Sequence, residues 1–391
     1  MRNRLLFGGY FLTTCFLFLY SFTQVDLSLT LSQLSLWQIV QKKLQYIGYF
    51  QRPIATDLYI VILLLLFSFF FFFQKLVKQN KITQKKLWIG IIVTVIVLGF
   101  SYNAFSYDIF NYIFDAKLVT HYQVDPYRYR ALDFPKDPML PFMRWIHRTY
   151  PYGPVWLAVT VPLSYLGMNY FLLTFFLFKT LMAVSYLGSV YFISKIAKKM
   201  GNASLFPIVF FALNPLVIIE SLVSAHNDIV MMCFALAACY FLLTKKYFFA
   251  LLFLLLSIGV KFATIFLIPA FLLYLLFEYK KKPIRPENFF LLATFGMIIA
   301  IVLASVRTNF QPWYLLYAFP FAAPVSHKYF VRIPVIIFSF FALLEYVPYL
   351  YTGNWNNPVP QILFFLTLSA FLLSVLVTIG CRLLLVRRMQ K

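Results

Sequence analysis

The chain has 391 residues, 62% hydrophobic and only 12% charged, where a soluble domain carries roughly 25% charged residues. With a mean hydropathy of +0.81, a soluble fold is excluded. The net charge of +22 sits in short Lys/Arg clusters between apolar runs, as in cytoplasmic loops of membrane proteins, and no nucleic-acid motif accompanies it, so nucleic acid is not an expected partner.

The expected fold is all-α and polytopic. Only helices and closed barrels satisfy their backbone in lipid, and these runs lack the polar–apolar alternation of barrel strands. Met1-Arg2-Asn3-Arg4 precedes an apolar run to about Phe22, which reads as a retained signal-anchor helix with its N-terminus in the cytoplasm. About 12 transmembrane helices are expected, near 5–23, 56–74, 87–105, 170–194, 203–221, 228–244, 247–261, 262–277, 289–306, 313–326, 332–350 and 361–383. Crossing a hydrocarbon core of about 30 Å takes ~20 apolar residues. The whole chain, 1–391, reads as one membrane domain. Cys15, Cys233, Cys239 and Cys381 all lie in apolar runs and read as small buried hydrophobes without metal-ligand spacing.

Charge orients these spans. Five lysines lie between Lys75 and Lys86, and further clusters are Lys195-Lys198-Lys199, Lys245-Lys246, Lys280-Lys281-Lys282-Arg285, Lys328-Arg332 and Arg382-Arg387-Arg388-Lys391. All fall on the cytoplasmic side if 154–167, which starts Pro154 and contains Pro162, is a re-entrant or short helix. The C-terminus is then cytoplasmic too. The opposite, extracytoplasmic face receives 24–55, 106–153, 220–228, about 259–262, 307–312 and 351–360.

The large loop 106–153 holds five of the 12 acidic residues: Asp108, Asp115, Asp125, Asp133 and Asp137. Within it Asp108, Asn111, Tyr112 and Asp115 have the i, i+3, i+4, i+7 spacing of one helix face. Ile109, Phe110, Ile113 and Phe114 form the other. An amphipathic surface helix follows, with either a merely solvated polar face or a carboxylate held as a general base. Asp125-Pro126-Tyr127 reads as a turn. Tyr150-Pro151-Tyr152-Gly153-Pro154 reads as a rigid lead into the next helix, with Tyr152 able to face substrate.

A second polar group comprises Asn214, Glu220, Ser224, His226, Asn227 and Asp228. Asp228 alone could be a helix cap, but buried acids near a bilayer are costly without a partner or a wet cavity. Lys261, Arg307, Gln311, Trp313 and Tyr314 fall on the same face. Snorkelling is the plain account of such cations; Lys261, at a junction of two short spans, fits it least and could hold a phosphate. No Walker loop, dinucleotide fingerprint or nucleophile elbow occurs, which argues against a cytoplasmic nucleotide-sugar donor. No cofactor is expected from any motif; paired aspartates leave a divalent cation possible.

Taken in order, Ser106-Tyr107-Asp108-Ile109-Phe110-Asn111-Tyr112, Asp125-Pro126-Tyr127, Tyr152-Gly153-Pro154-Val155-Trp156, Asn214-Pro215-Leu216, His226-Asn227-Asp228, Gly259-Val260-Lys261 and Pro312-Trp313-Tyr314 resemble the GT-C superfamily of membrane glycosyltransferases. The closest resemblance is to polyprenol-phosphate-mannose-dependent α-(1→6)-mannosyltransferases of the bacterial mannan type. The resemblance implies a polyprenyl-phosphate-linked sugar donor, a glycan or glycolipid acceptor, inversion at the anomeric carbon, and Asp108 as the base. It also implies mannose, and it leans towards a bacterial plasma membrane. Tyr107 stands where the family often has Arg. The competing reading is a transporter or flippase of lipid-linked or small solutes. That class places its polar residues near the midplane, often in related halves; here they gather at one face and no internal repeat is visible.

Overall fold

The computed structural model describes residues 2–201 and 204–389; Met1 and Lys391, expected at the charged termini, lie outside them. Helices dominate, and among the described residues the only β pairing is an isolated bridge between Arg130 and Thr149.

In chain order the α-helices are α1 (Arg2–Ser21), α2 (Ser35–Phe50), α3 (Arg52–Lys78), α4 (Gln84–Gly99), α5 (Asp108–Thr120), α6 (Pro154–Leu166), α7 (Phe171–Lys199), α8 (Phe206–Ala212) and α9 (Pro215–Ile218). A π turn, Ile219–Val223, follows α9. Then come α10 (Asp228–Leu243), α11 (Tyr247–Val260), α12 (Ile268–Tyr279), α13 (Pro286–Thr308), α14 (Phe319–Ala322), α15 (Tyr329–Leu344), α16 (Tyr346–Thr352) and α17 (Val359–Met389).

Seven helical segments among the described residues are long and apolar enough to cross a membrane, eight if the bent pair α8 and α9 with its π turn is one span. The expected all-α polytopic class holds, with fewer full-length spans than the dozen apolar runs implied. The expected spans at 228–244 and 247–261 fold as the shorter apolar helices α10 and α11, and 154–167, expected as a re-entrant or short helix, folds as the short α6. The expected span at 313–326 breaks into a 3-10 turn at Pro312–Tyr317, the four-residue α14 and a second 3-10 turn at Ala323–Val325. Pro312, Pro320 and Pro324 each remove a backbone donor from this stretch, which favours short turns over a continuous helix.

The run at 203–221 bends by 53° between α8 and α9. Asn214 and Pro215 explain the break. Pro215 cannot continue the hydrogen-bond ladder, while the Asn214 side chain accepts from the Leu216 amide at 2.9 Å and donates to Ser339 Oγ at 2.9 Å. Every residue from Phe206 to Met232 is buried. This segment is the centre of the molecule, wrapped by α3, α4, α7, α11 and α15.

The long helices run between two contrasting ends. At one end Tyr107 Oη donates to Asp26 Oδ2 at 3.3 Å, Arg144 pairs with Asp26 at 3.5 Å, and Arg52 Nη1 donates to the Leu350 carbonyl at 3.4 Å. The other end carries lysines: Lys245 pairs with Glu278, and Lys328 with Glu287 at 3.0 Å. α7 joins the two. Phe171 packs edge-on against Phe142 of the long loop, and Lys199 ends the 29-residue helix, about 42 Å away at 1.5 Å per residue.

α6 does not repeat that path. At 13 residues it spans roughly 20 Å, short of a hydrocarbon core. Its start is bonded to Val260 through the Gly153 amide at 3.1 Å, and near its end Ser164 Oγ shares a 2.9 Å hydrogen bond with Thr120 of α5.

Candidate active site

Asp108 opens α5, where the helix dipole favours a carboxylate, and Ser106 Oγ accepts from its backbone amide at 3.1 Å. The apolar face of α5, Ile109, Phe110, Ile113 and Phe114, is fully buried, as its spacing predicts. The polar face is covered too: Tyr112 is buried and Asn111 and Asp115 are half-buried. The helix therefore does not float at a surface. It presses its polar side onto the segment 220–228.

His226 is the hub of that contact. Its Nδ1 stands 3.5 Å from Asp108 Oδ2, and its Nε2 stands 3.3 Å from Glu220 Oε2. These are ion-pair distances without hydrogen-bond alignment, a looseness common where ligand closure tightens a site. The imidazole lies flat on the Trp313 indole, with ring centroids 4.1 Å apart. Glu220 is wholly buried on the π turn and accepts from Tyr346 Oη at 2.9 Å. On its other side Asp108 accepts from Trp145 Nε1 at 3.1 Å.

A second charged pair lies alongside. Lys261 Nζ stands 2.7 Å from Asp228 Oδ1, with the rings of Tyr152, Tyr314 and Tyr317 around it at 6.0, 5.9 and 5.5 Å to their centroids. Three rings facing one ammonium hold it by cation–π attraction as well as by charge. Tyr112 Oη donates to Asn227 Oδ1 at 3.4 Å, and its ring meets Tyr152 and Trp156 edge-on.

Backbone geometry locks the two halves together. A Cβ added to Gly153 would stand 2.2 Å from the Gly259 carbonyl oxygen, and one added to Gly259 would stand 2.4 Å from Val155. Tyr152-Gly153-Pro154 and Gly259-Val260-Lys261 are thus two sides of one close approach that only glycine permits, and it delivers Tyr152 to Lys261. On the inner side, buried Lys179 donates to the carbonyls of Leu222 and Val223 and, at 3.1 Å, to Ser101 Oγ. These are carbonyls that the π turn and the bend after it leave open. Ala225, at φ 60°, carries the chain through that bend; left-handed backbone at a non-glycine residue is the kind of strain that clusters at functional sites.

Burial opposes the charged form of Asp108, but the neighbouring His226, Lys261 and Trp145 outweigh it and hold its carboxyl below the usual carboxylate range. Asp115 goes the other way: burial, then the Asp108 charge, push it up to about 8. Burial works against a charged His226, yet the two carboxylates raise it to about 9. Lys261 likewise stays charged, its burial outweighed chiefly by Asp228. At neutral pH the cluster holds an ionised acid beside a neutral one, the separation that divides acid and base roles in enzymes.

Among the described residues, seven of the 15 buried side-chain polar atoms without a hydrogen-bond partner lie between Glu220 and Asp228: Glu220 Oε2, Ser221 Oγ, Ser224 Oγ, both His226 nitrogens, Asn227 Nδ2 and Asp228 Oδ2. Asn111 Oδ1 and Trp156 Nε1 add two more nearby. Native proteins rarely leave such atoms unpaired outside functional sites, so this concentration marks where polar ligand groups fit. Among the described residues no group of three or more His, Cys, Asp or Glu converges as a metal site.

The other expected residues are placed differently. Asp125 caps its own turn, accepting from the Tyr127 amide at 2.9 Å and pairing with exposed Arg128 at 3.3 Å. Tyr127 reaches back to the Tyr152 carbonyl at 3.2 Å, bracing the loop. Gln311 is half-buried and heads the 3-10 turn that delivers Trp313, and Tyr314 shares a 2.6 Å hydrogen bond with Thr308. Arg307 is exposed and, among the described residues, has no ion pair with this cluster. Trp145, Tyr317 and Tyr346 join the site without a sequence signal. Glu220 had one, as an acid beside an apolar run.

A family model described as alpha-(1->6)-mannopyranosyltransferase, N-terminal domain, matches residues 19–277. Searches of curated proteins and of solved structures return no match. The matched region contains Asp108, Glu220, His226, Asp228 and Lys261. With two thirds of its length matched, and with seven helices among its described residues long and apolar enough to cross a membrane, the chain belongs to the alpha-(1->6)-mannopyranosyltransferase family and is a membrane mannosyltransferase of the GT-C type.

Proposed function

We propose that this protein moves a mannosyl group from a polyprenyl-phosphate donor to a hydroxyl of a glycan or glycolipid acceptor, with inversion, at the extracytoplasmic face of a bacterial plasma membrane. The reading rests on one observation: the Asp108 carboxyl faces His226 and Trp145, with the Lys261 ammonium held alongside by Asp228. Asp108 takes the proton of the acceptor hydroxyl as that oxygen attacks the anomeric carbon. The bond from that carbon to the donor phosphate breaks on the opposite face. One displacement inverts the centre, so a single base suffices and no second nucleophilic carboxylate is needed.

The departing polyprenyl phosphate gains one negative charge. Lys261, seated between Asp228 and three tyrosines, is the cation fitted to receive it; His226 adds a second. Asp115, neutral at pH 7, can donate a hydrogen bond to a sugar oxygen, and the unpaired groups of Asn111, Ser221, Asn227 and Asp228 can bind further hydroxyls. The lipid tail remains among apolar helices. Lysines at the other end, by the positive-inside tendency, support a reading with the cluster outside and both termini inside.

Purified protein given radiolabelled polyprenyl-phosphate-mannose and a mannoside acceptor tests this. Labelled product is expected from that donor and none from a nucleotide-linked mannose. Product from the nucleotide sugar alone overturns the donor assignment.

A further inference from the structure

Glu220 has no part in the displacement above, yet its placement is specific. It is wholly buried on a π turn, a helix irregularity found mostly at functional sites. One carboxylate oxygen accepts from Tyr346 at 2.9 Å. The other faces His226 Nε2 at 3.3 Å, while His226 Nδ1 faces Asp108 at 3.5 Å. The imidazole is clamped flat on Trp313, so its two nitrogens cannot trade places without leaving the stack.

We infer that Glu220 is a positioning residue for the transfer: it fixes His226 as an imidazolium across from Asp108, and so keeps a positive charge beside the base up to alkaline pH. This rests on the reading of Asp108 as the base. Taking a carboxylate out of water disfavours its charge unless an opposite charge is close. Two carboxylates with one imidazolium between them leave a single net negative charge over three groups. Without Glu220 a buried imidazole with one carboxylate partner holds its proton less firmly, and a neutral His226 no longer supports the Asp108 charge.

Other charged and titratable groups face the same cluster. Lys261 acts on Asp108 in the same sense as His226, while Asp115 and Tyr152, both held towards their neutral forms, would act against it only once ionised. Tyr59 also faces the Glu220 charge, with its hydroxyl donating to the Leu343 carbonyl at 2.8 Å. None of them occupies the gap between Glu220 and Asp108; His226 alone does.

The experiment is the alkaline limb of the transfer rate against pH, read with the NMR titration of the His226 ring. In Glu220→Gln the His226 proton is lost at lower pH than in the parent, by about 1–3 in pH, the range of a lost neighbouring charge. The alkaline limb moves down with it, while the acid limb, set by Asp108 at a pH where His226 is still protonated, does not move up. Glu220→Asp keeps the charge and restores most of the parent profile. An unmoved His226 titration overturns the inference, as does a fall in rate with the alkaline limb in place, the mark of a merely structural role. Should Glu220→Gln fail to fold, the pair Glu220→Gln with His226→Gln removes the buried acid together with the imidazolium it faces. Its pH profile must equal that of His226→Gln alone; a further shift shows that Glu220 acts by another route and overturns the inference. The His226 titration needs no turnover, so failure of Asp108 as the base is told apart from failure of the Glu220 assignment.

Discussion

The two ends of this protein carry the same kinds of charge and use them differently. At the lysine-rich end, Lys245 meets Glu278 and Lys328 meets Glu287 in contact with solvent. Pairs of that kind gain little, because water and salt screen them and long side chains lose freedom. At the other end Lys261 meets Asp228, whose side chain is wholly buried, and His226 sits between two acids with its own ring fully buried. Buried pairs are expensive to desolvate and are poor sources of stability compared with apolar packing. A chain that is 62% hydrophobic had apolar residues to place there. That it places five ionisable groups instead, Asp108, Glu220, His226, Asp228 and Lys261, marks this end as the working one.

Four substitutions break or sharpen that contrast. Lys261→Met strands Asp228 in a buried site and is expected to destabilise by about 3–5 kcal/mol, read by thermal unfolding in detergent. Adding Asp228→Asn recovers much of that stability but not the transfer rate, since the phosphate-facing cation is still missing. Full recovery of rate would show that Lys261 serves packing alone. Gly153→Ala drives a methyl into the Gly259 carbonyl, and a cost of about 1–3 kcal/mol is expected for such overpacking. Because Tyr152 follows the backbone, the transfer rate falls as well; an unchanged rate would separate Tyr152 from the site. Lys245→Ala, at the other end, leaves both unfolding temperature and rate unchanged. A clear loss there would mean the two ends are less different than their burial implies.

Much of this arrangement was legible in the sequence, and the limits have physical causes. Apolar runs announced helices, and the charge pattern placed 106–153, 220–228 and 261 together, as the contacts among Asp108, His226, Asp228 and Lys261 now do. Periodicity on α5 correctly divided Ile109, Phe110, Ile113 and Phe114 from Asp108, Asn111, Tyr112 and Asp115. It could not tell that the polar face would also be covered, because a polar stripe looks the same against water and against a buried acid. The run at 313–326 was apolar enough for one continuous helix but passes between the two ends as a series of short buried turns, since hydropathy does not register where prolines interrupt the hydrogen-bond ladder. The π turn carrying Glu220 has no sequence signature, and Trp145 reaches Asp108 from a loop whose path depends on tertiary contacts. Arg307 shared the right face in sequence and lies exposed, because the end of a helix sets height in the bundle but not direction around it.

The most direct test of the central claim is transfer by Asp108→Asn, measured with donor binding on the same preparation. The carboxamide is nearly isosteric and can still accept from Trp145 but cannot take a proton, so donor should bind as before while the rate falls by about 10²–10⁴, the contribution of a general base. A folded Asp108→Asn protein that transfers mannose at the parent rate would contradict the account.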